Sequence, residues 1–577
     1  MDLRKSKLKH RWIGPAVNLN ERVLELEQKL GLHPLVCQIL SNRGFKSAES
    51  VEKFLDPSLH DLLDPYLMKG MDAAVDRVVR ALQSKEKIVI YGDYDVDGIT
   101  SISLMVRYLR QLNGDVGYFI PHRMVEGYGL SEAGLDSVAE MGASLVITVD
   151  CGISACEAIE YARSKGLEMI VTDHHEPGDS PLPNAEAILN PKQPGDKYPE
   201  KELAGIGVAF KFCQGISERL GVGQYQLNEH LDLVAIGSIA DIVPLIGENR
   251  VFAKLGLEKM RVSEKPGIRA LISLAGLENK NLDSSDIVFS MAPRINAVGR
   301  MGDAERGVRL FLSDDMEESR ELAKILEEEN RYRREVDVQT LEQAREAISQ
   351  QIDLDERWTI VLHSESWHPG VLGIVASRLV EEYYRPTVLI SFDEAGEGKG
   401  SARSVSNFHL YEALKRCAHS LEVYGGHKYA AGLQLKRESL EEFIESFDRA
   451  AHEMLDPRDL VPEIMVDLEI DLDQANDNLL ESIERFRPYG PGNPKPVLVV
   501  SDLSVVGYPK IVGTNHLKMR VRKDSHQIEV IGFGMADKLK EINTAREKIS
   551  IAFVLEENIW NNTRQLQANL KDIKVSD

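Results

Sequence analysis

Short apolar runs alternate with amphipathic stretches through the middle of the chain. Three of these runs, at 87–91 (KIVIY), 145–149 (LVITV) and 169–172 (MIVT), carry apolar residues at successive positions, and each is followed by a helical stretch. Fully apolar strands that alternate with helices are typical of βαβ units and of a parallel sheet buried on both faces. The pattern therefore predicts an α/β domain over residues 86–313.

The regions on either side of this domain show other patterns. The first 85 residues contain amphipathic helical stretches and are predicted to pack on the α/β domain or to be part of it. A Glu- and Arg-rich stretch without Gly or Pro then predicts a long, mostly solvated connector helix. A second, smaller α/β pattern follows, and the strand-like tail predicts a small barrel similar to an OB fold. The predicted divisions are the N-terminal helical region at 1–85, the first α/β domain at 86–313, the connector helix at 314–352, the second α/β domain at 353–456 and the barrel at 462–577.

Composition limits the class of protein. With 577 residues, 43% of them hydrophobic and 28% charged, the chain is predicted to be a multidomain globular protein. No apolar run approaches the length of about 18 residues that a membrane span needs, and the basic start lacks the apolar core of a signal peptide. The five cysteines form no CxxC pair, which favours a cytoplasmic location and disfavours structural zinc and disulfides.

The formal net charge of −23 at first disfavours a nucleic-acid partner. Binding depends on local basic grooves, however, and bound divalent cations reverse the sign of an acidic site. The total charge therefore leaves the partner open.

Acidic residues and histidines follow the apolar runs at the points where strands are predicted to end. Ligands of open α/β sheets bind outside the carboxyl ends of the strands, so these groups are expected to meet at one edge of the sheet. They are Asp93, Asp95 and Asp97 in the turn GDYDVDG, Asp150, Asp173, His174, His175, and Asp241 after the apolar segment LVAIGSIA.

So many carboxylates in one place would repel one another unless cations lay between them. Oxygen ligands with one or two imidazoles suit Mn²⁺ or Mg²⁺. Two such ions about 3.5–4 Å apart would activate a water molecule and stabilise the leaving oxygen during an in-line attack at phosphorus. The pattern thus predicts a two-metal hydrolytic site.

Each group also has a simpler interpretation. Asp and Gly favour turns, so the aspartates at 93–97 could form an ordinary acidic turn. His174 and His175 could be partly buried histidines satisfied by backbone groups, and Asp241 could cap a helix. The occurrence of four such clusters together favours the site.

The ordered motifs resemble those of the DHH phosphoesterase superfamily, and within it those of the single-strand-specific exonucleases. The superfamily takes its name from a triplet like the one at 173–175. The resemblance covers nearly the whole chain, and no expected metal-binding position departs from it. The motifs are, in order, YGDYDVDGITS, ITVDCGIS, VTDHHEPG, IADIVPL, PRINAVGRMGDA, SWHPGVLGIVASRL, GKGSARS and YGGHKYAAG.

The resemblance implies which residues bind metal and what the reaction is. Asp150 would bridge two Mn²⁺ or Mg²⁺ ions, and the reaction would be 5′ to 3′ hydrolysis of single-stranded DNA to 5′-mononucleotides. The implied metal ligands are Asp95, Asp97, Asp150, His174 and Asp241.

Three further residues of the site have other implied roles. Asp93 would be an additional ligand or an orienting group, and the resemblance leaves both open. Asp173 would orient the histidines without binding metal itself. His175 would lie near the scissile phosphate.

Other motif residues are implied to bind the strand. Guanidinium groups suit phosphate oxygens, and glycines let the backbone approach a phosphate closely. The alternatives are surface ion pairs for Arg294 and Arg300 and an ordinary loop for Gly425 and Gly426. The implied strand-binding residues are Arg123, Arg294, Asn296, Arg300, Ser401, Arg403, Gly425, Gly426 and His427.

The barrel would add sequence-tolerant binding through basic and aromatic side chains. A basic stripe could serve this purpose, or it could be a solvated strand face. Tyr424 and Trp367 are candidates for base stacking, and core packing is an equal alternative for each. The stripe consists of Lys510, His516, Lys518, Arg520 and Arg522.

The chain is therefore interpreted as a metal-dependent exodeoxyribonuclease of DNA repair and recombination. Its expected partners are single-stranded DNA with a 5′ end, a single-strand-binding protein and a helicase, and it is expected to be a monomer without membrane association. One alternative is a DHH phosphodiesterase for oligoribonucleotides or cyclic dinucleotides, or a pyrophosphatase, although such relatives are typically shorter and lack the barrel. Another is a non-catalytic DNA-binding scaffold, which would have no need for so many carboxylates.

Overall fold

The computed structural model describes residues 10–14, 21–121, 129–178, 181–544, 548–560 and 563–575. The chain folds as two compact units. One contains Ser58–Leu460 and the short segment Gly490–Gly492, and the other contains the described residues up to Pro57, Val461–Tyr489 and the chain from Asn493. In the described ranges, no helix has both the length and the apolar character to cross a lipid bilayer.

The described N-terminal residues pack with the tail of the chain. Arg11–Ile13 pairs in parallel with Glu463–Met465, and Phe54 shares one core with Phe486. The expected N-terminal region at 1–85 therefore divides near Pro57, because an amphipathic pattern shows that a helix face is buried but not which domain buries it. The elements are β1 (Arg11–Ile13), α1 (Glu21–Leu30), α2 (Pro34–Asn42) and α3 (Ala48–Leu55).

The first α/β domain alternates strands and helices and then continues as a set of helices. A π-helical turn at Ile287–Met291 precedes its α14 helix. The elements are α4 (Met71–Ser84), β2 (Lys87–Gly92), α5 (Val96–Gln111), β3 (Asp115–Phe119), α6 (Glu132–Glu140), β4 (Leu145–Val149), α7 (Cys156–Ser164), β5 (Glu168–Thr172), β6 (Ala187–Leu189), α8 (Gly205–Leu220), α9 (Tyr225–Asn228), α10 (Leu231–Ala240), α11 (Gly247–Arg261), α12 (Pro266–Leu274), α13 (Ser284–Asp286), α14 (Ala292–Met301) and α15 (Glu305–Leu312).

The strands of this domain form one parallel sheet in the order β3-β2-β4-β5-β6. Alternate side chains of β2 point to opposite faces. Ile88 and Ile90 join a core with α4, α5 and α8, whereas Val89 and Tyr91 join another with α6 and α7. The predicted parallel sheet, buried on both faces, is confirmed, and its carboxyl edge is where the candidate site is expected.

The connector is a single helix, α16 (Met316–Gln351). Leu326 belongs to the core of the first α/β domain, and Leu341 and Ile348 belong to a core with the next strand and helix. The helix is therefore less solvated than the sequence predicts. The buried apolar residues of this helix recur at helical spacing. Charged residues between them dominate the composition, so composition alone does not reveal the buried face.

The second α/β domain has a mixed sheet in the order β10-β11-β9-β8-β7, in which only the pair β7–β8 is parallel. The Gly-rich segments GEGKGSARS and YGGHKYAAG lie mainly in its antiparallel strands. The elements are β7 (Ile360–Ser364), α17 (Leu372–Tyr383), β8 (Thr387–Phe392), β9 (Glu397–Arg403), α18 (Leu410–Arg416), β10 (Val423–Gly426), β11 (Ala430–Lys436) and α19 (Leu440–Met454).

The tail forms a closed barrel of five strands, because the sheet order β14-β15-β16-β18-β17 is completed by a pairing between β14 and β17. This arrangement confirms the predicted OB-like barrel. The elements are β12 (Glu463–Met465), β13 (Leu468–Glu469), α20 (Asp477–Glu484), β14 (Val497–Val512), β15 (His516–Lys523), β16 (His526–Gly532), α21 (Lys538–Thr544), β17 (Ile549–Trp560) and β18 (Thr563–Val575).

Candidate metal centre

The turn after β2 carries three carboxylates around the start of α5. Asp95 is the N-cap of the helix, and its Oδ1 accepts a hydrogen bond of 3.1 Å from Gly98 N. A Cβ at Gly98 would lie 2.3 Å from Asp93 O, so only glycine lets the turn close this tightly. Asp93 and Asp97 are buried on either side of the cap. The sequence GDYDVDG thus places three carboxylates at the N-terminus of α5.

Asp97 is held at the N-terminus of another helix. Its Oδ2 accepts a hydrogen bond of 2.6 Å from Gly205 N, and its Oδ1 accepts one of 2.8 Å from Ile206 N, both in the first turn of α8. Helix N-termini stabilise anions through such N–H groups. Burial and the charge of Asp95 nevertheless raise the pKa of Asp97 to about 7. The two hydrogen bonds fix the position of the Asp97 carboxylate, and its raised pKa indicates that its negative charge is not fully compensated.

Asp150 follows β4 in the left-handed backbone region, with φ of 60°. Its buried Oδ1 accepts no hydrogen bond from the described residues, and it lies 3.1 Å from His174 Nε2. Burial and the charge of Asp97 raise the pKa of Asp150 well above its usual range. A buried anionic oxygen without a donor is costly, and a bound cation would remove that cost.

His174 lies at the meeting point of the carboxylates. Its Nε2 is 3.9 Å from Asp97 Oδ2 and 3.7 Å from Asp241 Oδ2, in addition to its approach to Asp150. Burial and the charge of His175 lower the pKa of His174 to about 3. The ring is therefore neutral at physiological pH, which is the form of imidazole that binds metal.

Asp241 reaches the site from the end of a helix. The segment LVAIGSIA lies in α10, and Asp241 caps it by donating its backbone N–H to Gly237 O over 2.9 Å. The expectation of a sheet edge is wrong for this residue, because a fully apolar run is compatible with a buried helix or a buried strand. Its backbone lies at the C-terminal cap position of this helix, whereas its side chain lies among the other acids. Burial and the charge of Asp97 raise the pKa of Asp241 well above its usual range.

Asp173 accepts hydrogen bonds that hold His174 and His175 in place. Its Oδ1 accepts hydrogen bonds from the backbone of His174 (2.8 Å) and His175 (3.1 Å), and its Oδ2 accepts one from Ile153 N (2.9 Å). The same Oδ1 lies 2.7 Å from His175 Nδ1. Burial opposes both charges, but this hydrogen bond lowers the pKa of Asp173 to about 2 and raises that of His175 to about 9.

The ligand atoms form three overlapping groups, and within each group they lie within 4.8 Å of one another. Asp150 belongs to two of the groups and His174 to two, so the group Asp150–His174–His175 overlaps each of the other two. Several carboxylates and imidazoles without thiolates fit Mn²⁺ or Mg²⁺. The groups are Asp93–Asp95–Asp150, Asp97–His174–Asp241 and Asp150–His174–His175.

The second α/β domain contributes His427 to the same region. The rings of His427 and His175 are stacked, with 5.8 Å between their centroids and 12° between their planes. Gly426 has φ of 136°, and a Cβ there would lie 2.5 Å from Ala430 O. The turn through Gly425 and Gly426 therefore depends on glycine. The structure brings this predicted strand-binding turn next to the candidate metal ligands.

Ser401 and Arg403 form a local pair on β9. Arg403 Nη1 donates to Ser401 Oγ over 3.1 Å and to Ala402 O over 2.7 Å. A Cβ at Gly373 would lie 2.6 Å from Arg403 Nη2, so the start of α17 packs closely on this guanidinium. The pair is held against a helix start, and its role in strand binding stays a prediction.

The predicted strand-binding residues of α14 have different environments. Arg294 is buried, donates to Ser290 O, and places its Nε 2.5 Å from Glu327 Oε2. Asn296 Oδ1 accepts a hydrogen bond of 3.2 Å from Val96 N, so it supports the acidic turn. Arg300 Nη1 donates to Gly370 O over 3.1 Å. The ion-pair alternative thus applies to Arg294, and Arg123 lies outside the described residues.

Two residues after β6 were not predicted from the sequence. Asn190 is fully buried and donates to His175 O over 2.9 Å, and its Oδ1 accepts from Lys192 N over 2.8 Å. Lys192 Nζ lies 3.5 Å from Glu176 and 3.3 Å from Glu202. Polar residues were sought at the carboxyl ends of predicted strands, which identified the ends of β2, β4 and β5. The same criterion applies to β6, but its apolar run AIL is too short to be predicted as a strand from the sequence.

The two predicted base-stacking residues, Trp367 and Tyr424, contact other side chains. Trp367 is 5% exposed and donates its Nε1–H to Gln343 Oε1 over 2.7 Å. The ring of Tyr424 lies 5.9 Å from that of Tyr411. These contacts match the core-packing alternative.

The basic stripe of the barrel is partly neutralised. Lys518 and Arg520 both pair with Glu529, at 2.9 Å and 2.7 Å. His516 Nδ1 accepts a hydrogen bond of 3.1 Å from Gly534 N. Tyr508, which the sequence did not single out, is 97% exposed on β14, as an aromatic ring that stacks on bases has to be.

Three family models match successive parts of the chain. The model described as DHH family, N-terminal domain, matches residues 87–238. The model of the DHHA1 domain matches residues 357–453, and that of the RecJ OB domain matches residues 466–572. Their order is the order of the two α/β domains and the barrel.

The chain is also similar to characterised proteins over nearly its full length. It is 41% identical over 560 residues to the single-stranded-DNA-specific exonuclease RecJ of Bacillus subtilis, which covers 96% of this chain and 70% of that protein. It is 34% identical to the Escherichia coli protein of the same name, with coverage of 94% and 96%. The crystal structure of RecJ in complex with Mn²⁺ from Thermus thermophilus matches with a TM-score of 0.84 and 30% identity, covering 98% of this chain and 80% of that one.

Proposed function

This chain belongs to the RecJ family of single-stranded-DNA-specific exonucleases, and from this premise we propose that it is a metal-dependent enzyme that hydrolyses single-stranded DNA from the 5′ end to 5′-mononucleotides. The observation that carries the proposal is the convergence of carboxylates and imidazoles from four separate segments on Asp150 and His174. A structural role would not explain so many mutually repelling groups.

Two cations, Mn²⁺ or Mg²⁺, would be held by two sets of ligands that approach each other at Asp150 and His174. Asp93 and Asp95 would complete one set of ligands, and this grouping favours Asp93 as a ligand over an orienting group. Bound there, the pair would acidify a water molecule and offset the charge that develops on the phosphate oxygens. The other set would be Asp97, His174 and Asp241.

The remaining groups of the centre would position and stabilise the phosphate. Asp173 holds His175 in its protonated form near neutral pH, and an imidazolium would stabilise negative charge on the substrate. Asn190 donates a hydrogen bond of 2.9 Å to the backbone carbonyl of His175. The Asp173 contact would orient the ring of His175 and the Asn190 contact would hold its backbone.

The end of the strand would be recognised by the second α/β domain. Arg403 offers a guanidinium that is oriented by Ser401, and planar guanidinium groups suit the oxygens of a terminal phosphate. The glycine turn next to His427 would let the backbone approach the same phosphate.

Arg403→Ala is expected to weaken binding of 5′-phosphorylated single strands by about 2 kcal/mol, roughly thirtyfold, because one charge-assisted contact is lost. The loss of affinity can be measured by fluorescence anisotropy with oligonucleotides that carry a 5′-phosphate or a 5′-hydroxyl. Arg416→Ala is the matched control, since Arg416 is an exposed arginine of the same domain that pairs with Glu453. Equal affinities of the Arg403 variant and the control for the phosphorylated strand would remove Arg403 from the pocket.

A time course on end-labelled DNA tests the proposed activity itself. Single-stranded, duplex and tailed substrates labelled at either end would be incubated with Mn²⁺, with Mg²⁺ and with a chelator. We expect early release of mononucleotide label from the 5′ end of single strands and none with the chelator. Early release from the 3′ end, or turnover confined to dinucleotides, would contradict the proposed direction or substrate.

The proposed setting is DNA repair and recombination in the cytoplasm. An exonuclease for single strands needs unwound DNA, so a helicase and a single-strand-binding protein are the proposed partners, with the enzyme acting as a monomer. Size measurement by light scattering, with and without a single-strand-binding protein, checks both the monomer and the partner.

A further inference from the structure

Asn249 is a buried asparagine in the first turn of α11. It is 1% exposed, and its Nδ2 donates to two backbone carbonyls, Glu202 O over 2.6 Å and Pro244 O over 3.2 Å. Since an amide oxygen would repel both acceptors, the nitrogen has to face them, which fixes the orientation of the side chain. Asn249 therefore joins two segments of backbone that are distant from each other in the sequence.

The first of these segments holds two of the candidate metal ligands. Glu202 is followed by Leu203, whose backbone forms a hydrogen bond with the ring of His174. The next N–H groups, in the first turn of α8, donate to the carboxylate of Asp97. A histidine that binds metal through one ring nitrogen commonly uses the other for a backbone contact of this kind. The backbone after Glu202 thus fixes both side chains.

The second segment carries a third candidate ligand. Asp241 is followed by Ile242, which has φ of 62°, and this conformation is strained for a β-branched residue. Strained backbone persists only where the surrounding contacts hold it. The amide contact at Pro244 O is one such contact, and the hydrogen bond of 2.7 Å from Leu245 N to Pro491 O is another. The position of Asp241 therefore depends on the contacts of the loop that follows it.

The start of α11 is itself firmly anchored. Glu248, next to Asn249, is 2% exposed. Its Oε1 accepts hydrogen bonds from Leu63 N over 2.9 Å and from Lys211 Nζ over 3.0 Å, and its Oε2 accepts one from the hydroxyl of Tyr198. Three donors from separate segments thus hold this turn of the helix, so the amide of Asn249 acts from a fixed base.

We propose that Asn249 is a positioning residue for one of the two proposed cations, an inference that rests on the proposed function. Asp97, His174 and Asp241 form one candidate ligand group, and the two segments that Asn249 joins hold all three. The amide would keep these ligands at the separation that the ion requires without binding the ion itself. The other ligand set follows β2 and β4 and has no hydrogen bond from this amide among the described residues.

Asn249→Ala tests the inference through the binding of Mn²⁺ to the protein without DNA. The electron paramagnetic resonance signal of free Mn²⁺ is lost on binding, so a titration gives the number of bound ions and their affinities. Wild-type protein should bind two ions, and the variant should bind one of them about ten- to a hundredfold more weakly, as for other groups that orient metal ligands. Saturating Mn²⁺ should restore most of the cleavage rate, because the ligands are intact.

The matched control is Asn493→Ala. Asn493 is also 1% exposed and donates from its Nδ2 to two backbone carbonyls, Phe486 O over 2.7 Å and Pro488 O over 2.9 Å. Its loss should destabilise the protein by a similar amount and leave both Mn²⁺ affinities unchanged. Equal Mn²⁺ affinities in the two variants would overturn the inference, whether both match the wild-type values or both are lower.

Asn249→Ser decides the question if Asn249→Ala does not fold. A serine hydroxyl can donate to only one of the two carbonyls, so the same ion should bind more weakly, and unchanged binding would overturn the inference. Unfolding of both Asn249 variants beside a folded Asn493→Ala would also overturn it, because the amide would then serve folding. If wild-type protein binds Mn²⁺ but leaves single strands intact, the proposed function fails and the titration still decides the role of Asn249.

Discussion

Replacing Asp150 by asparagine is expected to lower hydrolysis of single-stranded DNA by about a thousandfold or more, because a lost cation removes several kcal/mol of transition-state stabilisation. Asp150 belongs to one proposed ligand set, and its Oδ1 lies 3.1 Å from His174 of the other, so one substitution is expected to affect both proposed ions. Asparagine keeps the size of the side chain and tolerates the left-handed backbone at this position. Single-turnover cleavage with saturating Mn²⁺ measures the loss, and strand binding should largely survive.

The same substitution is expected to raise the melting temperature of the metal-free protein. Burial and the neighbouring acids raise the pKa of Asp150, Asp97 and Asp241 in the folded state. A raised folded pKa means that stability is present at low pH and is lost as the pH rises through that value. For Asp97 this loss occurs as the pH rises from about 4 through about 7. In a chelator, wild-type protein should therefore melt lower at pH 8 than at pH 6, and Asp150→Asn should reduce the difference.

Asp502→Asn is the matched control, because Asp502 is an exposed aspartate with a similar backbone φ of 64°. It should change neither cleavage nor the effect of Mn²⁺ on the melting temperature. Normal cleavage by Asp150→Asn would refute the metal assignment. A lower melting temperature in the chelator would show that the carboxylate has a structural partner instead of repelling neighbours.

Those parts of the site that follow from strand geometry could be predicted from the sequence. Asp93, Asp95, Asp150 and His174 come directly after apolar runs, and a parallel sheet places the carboxyl ends of its strands together. Asp241 was expected at the site for the wrong geometric reason, because the run before it is a helix. The apolar run led to its inclusion, and the motif IADIVPL indicated it independently.

The roles of other residues depend on long-range packing that periodicity does not encode. Arg294 and Arg300 stand in one motif, yet one is buried against α16 and the other reaches the loop before α17. Asn190 follows a strand of only three residues, which is too short to be distinguished in the sequence. The N-terminal helices could be recognised, whereas their association with the barrel could not, since an apolar helix face does not identify its partner.

Asp173→Asn is expected to lower kcat/KM by about a hundredfold, as for other groups that orient a metal-site histidine. The carboxylate holds His175 at 2.7 Å and keeps its pKa near about 9 against the opposing effect of burial. Without that charge the pKa of His175 should fall toward its ordinary value of about 6.5. If the imidazolium stabilises the phosphate, the alkaline limb of the pH profile should move to lower pH by up to about two units.

A control in the second α/β domain separates this effect from a general loss of structure. Asp448 is also buried, accepts hydrogen bonds from two backbone N–H groups, and lies 3.4 Å from His452. Asp448→Asn should destabilise the protein by a similar amount, because it leaves comparable donors without their charged acceptor, but it should not move the alkaline limb. An unchanged limb in Asp173→Asn, with the same loss of rate, would mean that Asp173 only positions His175. Equal profiles and equal rates for wild-type protein and Asp173→Asn would remove the pair from catalysis altogether.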